Sequence, residues 1–258
     1  MTLNLWQAII LGLVQGLTEF LPVSSSGHLV IAQTLLGLEV DMITFDVFVH
    51  VGTLVAVFVA FWQDIAGLLR HLWCRFTGMI LIGCIPAALM GLLLDDLFSR
   101  LFSSLTAVAC ALILTGILLF FSDRFNGQGE IKNMKAGQAL VIGLFQGCAI
   151  APGLSRSGST IFGALICGLK RSEAAKFSFI ISIPVILGAA LKEGYDLVSA
   201  DGLTIVEWTY FVGAAVAALS GYLAVRVFLR LLEKRNMRYF SYYVWALAAV
   251  VLGSRIFA

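Results

Sequence analysis

The chain has 258 residues, 60% of them hydrophobic and only 12% charged, with a formal net charge of +2 and a mean hydropathy of +0.98. Apolar runs of about 18 residues or more recur throughout, which makes this an integral membrane protein and excludes a soluble domain. The balance of charge is too small for a nucleic-acid partner, because the basic residues are spread over short loops and form no patch. Cys74, Cys84, Cys110, Cys148 and Cys167 are odd in number, scattered and without a CxxC pair. They read as small hydrophobes in helix packing, with no disulfide or metal role.

The first element is a hydrophobic stretch, Ile9 to Leu38, interrupted by a Ser/Gly-rich break at Ser24, Ser25, Ser26 and Gly27. No basic segment precedes it and no small-residue cleavage site follows, so no removable signal peptide is expected. Continuous spans are then expected at about 43–63, 77–94 and 103–122. A second broken stretch covers Leu140 to Leu169, and three more spans follow at about 174–192, 207–226 and 239–256.

The two broken stretches repeat one another without a gap. Gly12, Leu13, Gln15, Gly16, Ser24, Ser26, Gly27, Gly37 and Leu38 recur 131 positions later as Gly143, Leu144, Gln146, Gly147, Ser155, Ser157, Gly158, Gly168 and Leu169. Interrupted hydrophobic segments at corresponding places in two halves mark a binding site near the bilayer midplane, where the two breaks meet.

Thirteen of the 17 basic residues lie in segments 64–76, 123–136, 169–176 and 226–238, which therefore face the cytoplasm. The opposite loops carry Glu39, Asp41, Asp95, Asp96, Glu193, Asp196, Asp201 and Glu207. Both ends of the second broken stretch then fall on the inner side, so it enters and returns as a helix-loop-helix hairpin. By the repeat, the first stretch does the same from the outer face. The expected fold is an all-α integral membrane protein forming a single membrane domain over 1–258. It has two inverted-topology repeats, about 1–122 and 136–258, each a re-entrant hairpin followed by three transmembrane helices.

Few residues at the breaks can ionise. From Met1 to Leu38 they are Glu19 and His28, and between Lys135 and Lys170 the one charge is Arg156. A charge at that depth costs at least about 2.5 to 3.5 kcal/mol, so it needs a partner and a task. Glu19 and Arg156 either form a salt bridge that ties the hairpins together or serve a ligand. Gln15 lies four residues before Glu19 on the same helix face. His28 follows the serine cluster directly and is a packing histidine or part of the site. Asp46 and His50 border the same region or serve packing. Hydroxyls and free N–H groups at helix starts near Gly27 and Gly158, with the guanidinium of Arg156, suit an anionic, phosphorylated ligand.

The runs QGLTEFLPVSSSGH (Gln15 to His28) and PGLSRSGST (Pro152 to Thr160) closely resemble the two signature motifs of the bacitracin-resistance type of undecaprenyl-diphosphate phosphatase, and the resemblance extends over essentially the whole chain. It implies hydrolysis of a C55 isoprenyl diphosphate to the monophosphate carrier of peptidoglycan synthesis, with resistance to bacitracin. It also implies a divalent cation, Mg²⁺ or Ca²⁺, held by Glu19 and Gln15. Glutamine stands at Gln15 where the family motif has glutamate, which leaves only an amide oxygen for a cation. The resemblance assigns catalysis to Ser25, His28, Glu19 and Arg156. Phosphate contact goes to Gln15, Ser24, Ser26, Gly27, Ser155, Ser157, Gly158 and Thr160. Ser25 as nucleophile with His28 as its base, and His28 as nucleophile, both stay open. The implied setting is a multi-pass protein of the bacterial inner membrane, its site open to the periplasmic side. Its implied partners are the isoprenyl diphosphate lipid and membrane lipids, with a homodimer left open. A lipid-phosphate transporter is the alternative, since inverted repeats with broken helices also build transporters.

Overall fold

The computed structural model describes residues 3–38, 42–71, 73–199, 206–233 and 236–257. Glu39, Asp41, Asp201, Lys234 and Arg235, used above to orient the loops, lie outside the described residues, as do the side chains of Glu193 and Asp196. Twelve α-helices form among the described residues. The first half contains α1 (Leu5–Phe20), α2 (Ser25–Leu35), α3 (Ile43–Ala60), α4 (Trp62–Arg70), α5 (Arg75–Leu93), α6 (Asp95–Phe102) and α7 (Leu105–Ser122). The second contains α8 (Ala136–Cys148), α9 (Arg156–Ile166), α10 (Arg171–Ser199), α11 (Trp208–Glu233) and α12 (Met237–Phe257).

The protein is an all-α integral membrane protein. Helices α5, α7, α10 and α11 are each long and apolar enough to cross a bilayer, and the α3/α4 pair makes a fifth candidate span bent by 84°. The span expected at 43–63 therefore stops at Ala60, and the chain turns sharply into the amphipathic α4, which begins with Trp62, Gln63 and Asp64. The last expected span is present as α12, but Tyr239, Ser241, Tyr242 and Tyr243 dilute its first half, and it is not among these apolar spans.

In both halves a helix, a break and a second helix pack together, α1 with α2 and α8 with α9, and for the same local reasons. Pro22 and Pro152 sit in the breaks, where a residue without an N–H and with fixed φ cannot continue a helix. Ser24 and Ser155 then restart the helices as caps, their hydroxyls accepting from the amides of Gly27 (3.3 Å) and Gly158 (3.1 Å). Each second helix ends on a glycine with positive φ, Gly37 (65°) and Gly168 (85°). There the amides of Leu38 and Leu169 reach back to the carbonyls of Gln33 and Ala164.

Each hairpin also closes on its own entrance. In the second, Gln138 near the start of α8 donates to the carbonyl of Cys167 at the end of α9 (2.6 Å), and Gly129 pairs with Gly168 and Lys170 through backbone bonds of 2.9 Å. In the first, Leu3 packs in one apolar cluster with Leu36 and Leu38.

The first helix of each hairpin lies against a span of the other half, α1 on α11 and α8 on α5. The repeated glycines are the points of contact. A Cβ on Gly12 would lie 2.5 Å from the carbonyl oxygen of Gly213, and one on Gly143 would strike the carbonyl of Gly83. Only a bare backbone permits such approach, and close backbone contact is how helices associate in lipid. The remaining core gathers around Phe179, which packs edge-on to Phe20 at 5.5 Å and against Phe228 at 6.0 Å.

The four basic segments converge on one end of the molecule. Lys176 pairs with Asp64 (2.5 Å), Arg171 and Arg238 with Asp123 (3.3 and 3.7 Å), and Lys132 and Lys170 with Glu130 (2.7 and 3.1 Å). Arg75 donates to the carbonyl of Met134 (2.9 Å).

Candidate active site

The two breaks meet inside the bundle. Ser157 donates its hydroxyl to the carbonyl of Leu21 (3.1 Å), and Gly27 lies so close to Gly153 that a Cβ on it would sit 3.1 Å from the Gly153 Cα. Thr115 of α7 fixes the second break, donating to the carbonyl of Gly153 (2.9 Å) and accepting from the amide of Ser155 (3.0 Å). Nothing in the sequence around Thr115 marks this role, because it depends on residues about 40 positions away.

Glu19 is the centre of the junction. Its side chain is only 5% exposed, and it gathers donors from three elements. Arg156 of α9 donates through Nη2 to Oε1 in a direct ion pair. Gln15, one turn earlier on α1, donates to Oε2 at 2.9 Å, and the Ser25 hydroxyl donates to the same oxygen at 2.5 Å. His50 of α3 brings Nε2 to within 3.8 Å of it. The other ring nitrogen of His50 donates to the carbonyl of Asp46 (2.7 Å), and Asp46 accepts from Gln33 of α2 (2.8 Å).

Four groups at this junction have hydrogen-bonding capacity left. The Oε1 of Gln15 and the Nη1 of Arg156 are buried with no partner. The first-turn amides of Ser25 and Ser26 have no intrahelical acceptor, as at any helix start. A guanidinium nitrogen, two helix-start amides and a serine hydroxyl on a carboxylate can bind a phosphoryl group and place a nucleophile beside it.

The structure does not join every expected residue to this group. His28 makes no hydrogen bond to Ser25: its Nδ1 donates to the carbonyl of Ser24 (2.7 Å), and its Nε2 meets the hydroxyl of Tyr243 on α12 (2.8 Å). Thr160 faces away, bonded to the carbonyl of Arg156 (2.7 Å) and the hydroxyl of Ser178 (2.6 Å). The hydroxyls of Ser24 and Ser26 lie 3.3 Å apart, as do those of Ser155 and Ser157. The amides of Gly27 and Gly158 are occupied by their own capping serines.

No group of three or more His, Cys, Asp or Glu side chains capable of holding a metal occurs among the described residues. A hard cation would have one carboxylate, Glu19, and one free amide oxygen, Gln15 Oε1. That set suits an ion held jointly with phosphate oxygens, as Mg²⁺ commonly is, and not a closed protein cage.

A family model described as bacitracin resistance protein BacA matches residues 8–250. The chain belongs to this family. It is 44% identical to an undecaprenyl-diphosphatase of Halothermothrix orenii, over 97% of this chain and 98% of that protein. It is 45% identical to one of Carboxydothermus hydrogenoformans, over 97% of each chain. A protein of the same name from Methanosphaera stadtmanae is 37% identical, over 97% of this chain and 98% of its own. The matched region contains both breaks and the helices that flank them apart from the first three residues of α1, so the meeting of the breaks lies wholly within it.

Proposed function

We propose that this protein is an undecaprenyl-diphosphatase that releases inorganic phosphate from undecaprenyl diphosphate and returns the monophosphate carrier to peptidoglycan synthesis, thereby conferring bacitracin resistance. The observation that carries the mechanism is the Ser25 hydroxyl on Glu19 Oε2 at 2.5 Å, beside the unpartnered Nη1 of Arg156. The terminal phosphate of the lipid takes the free arm of Arg156 and the helix-start amides, where positioning and electrostatics supply most of the catalysis of phosphoryl transfer. With Nη1 on phosphate and Nη2 still on Glu19, the guanidinium charge is shared between the two, and Glu19 becomes a better base. Ser25 Oγ attacks the terminal phosphorus, Glu19 accepts the hydroxyl proton, and the bridging P–O bond breaks with its electron pair leaving on the lipid monophosphate. Glu19 passes the proton to that leaving oxygen. Water then attacks the phosphorus of the phosphoserine, the P–Oγ bond breaks as inorganic phosphate departs, and the proton that Glu19 takes from the water passes to Ser25 Oγ, which restores both side chains.

Glu19 and Gln15 Oε1 would hold a divalent cation together with the diphosphate, and the ion would offset the charge of the transferring group. The setting we infer is the bacterial inner membrane, with the ionic end of the molecule in the cytoplasm, the first hairpin entering from the periplasm and the second from the opposite face. The positive-inside bias supports this orientation, and the closure of each hairpin on its own entrance supports re-entry.

Purified protein in detergent, given undecaprenyl diphosphate and Mg²⁺ or Ca²⁺, should release phosphate. Lipid movement across vesicles with no phosphate release under either cation would overturn this reading in favour of a transporter.

A further inference from the structure

Ser24, the residue immediately before the proposed nucleophile, has φ 70° and ψ 93°, and it is the only residue other than glycine with positive φ among those described. Such a conformation is strained for a residue that carries a side chain and persists only where the surroundings hold it. Its mate in the second half, Ser155, caps its helix in the same way at φ −66° and ψ 118°, an ordinary extended conformation. Capping therefore does not require the strain. It is confined to the half that carries Ser25.

One side-chain contact on the Ser24 carbonyl distinguishes this half, beside the backbone bond from the His28 amide (3.1 Å) that any helix start makes. His28, one turn into α2, donates Nδ1–H to the Ser24 carbonyl at 2.7 Å, and a carbonyl can only accept, so Nδ1 carries the proton. The Nε2 of the neutral ring then accepts from the Tyr243 hydroxyl at 2.8 Å. The two rings are nearly parallel, 11° apart with centroids at 5.6 Å. In the second half the position of His28 is Ser159, whose buried hydroxyl has no partner, so no such link exists there.

We propose that His28 and Tyr243 form a clamp that holds the strained backbone of Ser24 and so keeps the Ser25 hydroxyl on Glu19. This makes Tyr243, on a helix outside both hairpins, a positioning residue of the reaction. The proposal rests on the phosphatase reading with Ser25 as nucleophile. It gives His28 a place in the site without contact to the reacting atoms. It also explains why Ser25 points to Glu19 although His28 lies three residues on.

The test is a mutant cycle on phosphate release by the purified full chain. Tyr243→Phe keeps the ring stack and loses the hydroxyl, and should lower kcat about three- to tenfold with KM within about twofold. His28→Ala should lower kcat about a hundredfold, the scale of an ångström-sized misplacement. Glycine adopts positive φ without penalty, so in a Ser24→Gly background both losses should shrink to about threefold or less. If the glycine variant does not fold, Ser24→Asn serves instead, because asparagine tolerates positive φ and keeps the capping oxygen. Equal losses in both backgrounds, or an unchanged kcat for Tyr243→Phe with Ser24 present, would overturn the clamp. Full turnover by Ser25→Ala would instead overturn the reading on which it rests.

Discussion

Replacing Arg156 by lysine separates recognition from charge balance. The guanidinium offers two terminal nitrogens in one plane: Nη2 is committed to Glu19, and Nη1 is buried without a partner. Lysine retains the charge but offers a single ammonium, which can stay with Glu19 or turn to phosphate and cannot span both. The loss is one charged hydrogen bond in the transition state, about 1.5 to 3 kcal/mol, or roughly ten- to hundredfold in kcat/KM. Stability should respond differently. The side chains of Arg156 and Glu19 are 16% and 5% exposed, so removing one charge leaves the other largely out of water. Arg156→Ala should then cost about 3 to 5 kcal/mol of stability, while the lysine variant melts near the parent. Phosphate release and thermal unfolding in the same detergent measure both effects. Near-normal turnover in the folded lysine variant would reduce Arg156 to a counter-charge that joins the two hairpins.

Ser25→Ala should abolish a trapped phosphoenzyme that survives acid, and an acid-labile phosphoenzyme on His28 that persists when Ser24, Ser25 and Ser26 are all alanine would make the histidine the nucleophile. Single cysteines at positions 133 and 171, in a cysteine-free background, should label from the same face of the membrane; labelling from opposite faces would make the second hairpin a full span. Gly12→Val and Gly143→Val should each destabilise the bundle by about 1 to 3 kcal/mol through forced overpacking, and parent-like melting would show that α1 and α8 do not depend on these contacts. Lys132 and Lys170, hydrogen-bonded to it, hold the partly exposed Glu130 carboxyl below its ordinary range. A depressed carboxyl stabilises above its unfolded pKa and loses that contribution as pH falls through the folded one. Glu130→Gln should therefore lower the melting temperature slightly at neutral pH, by an amount that shrinks as the carboxyl protonates on acidification, and a gap that widens on acidification would refute the assignment.

The breaks were legible because the features that make them are local. A proline, a capping serine and a terminal glycine each act within one turn, and the repeat doubles the signal. The pairing of Glu19 with Arg156 was legible for a different reason: among so few ionisable residues at membrane depth, each needed the other. The bend after Ala60 was not legible, because the run ITFDVFVHVGTLVAVFVAFW stays apolar across it and hydropathy records composition, not direction. Thr160 read as a phosphate contact because it follows Arg156 closely, yet four residues on a helix bring its hydroxyl back to the Arg156 carbonyl. Tyr243 lies 215 positions from His28, so no pattern along the chain links them. The positive φ of Ser24 belongs to the fold, since serine itself gives no hint of it.

The likeness of the halves and their differences answer separate demands. Close helix approach and capping recur at the same offset, Gly12 with Gly143, Gly16 with Gly147 and Ser24 with Ser155, because each half breaks a hydrophobic helix inside the bundle and must pack the broken backbone against neighbouring helices. The chemistry does not recur. At the same offset Glu19 becomes Ile150, Ser25 becomes Arg156, Asp46 becomes Phe177 and His50 becomes Ile181, and both Phe177 and Ile181 are fully buried in the core. A second carboxylate at this depth would need a second cation, and a second strained serine would need its own clamp. One half therefore supplies the anion and the hydroxyl, the other supplies the guanidinium, and neither hairpin alone can complete the site. This division predicts that swapping Glu19 and Arg156 between their positions keeps the ion pair but separates Ser25 from its acceptor. The folded double variant should be inactive, and appreciable turnover in it would show that the pair serves only as a tie.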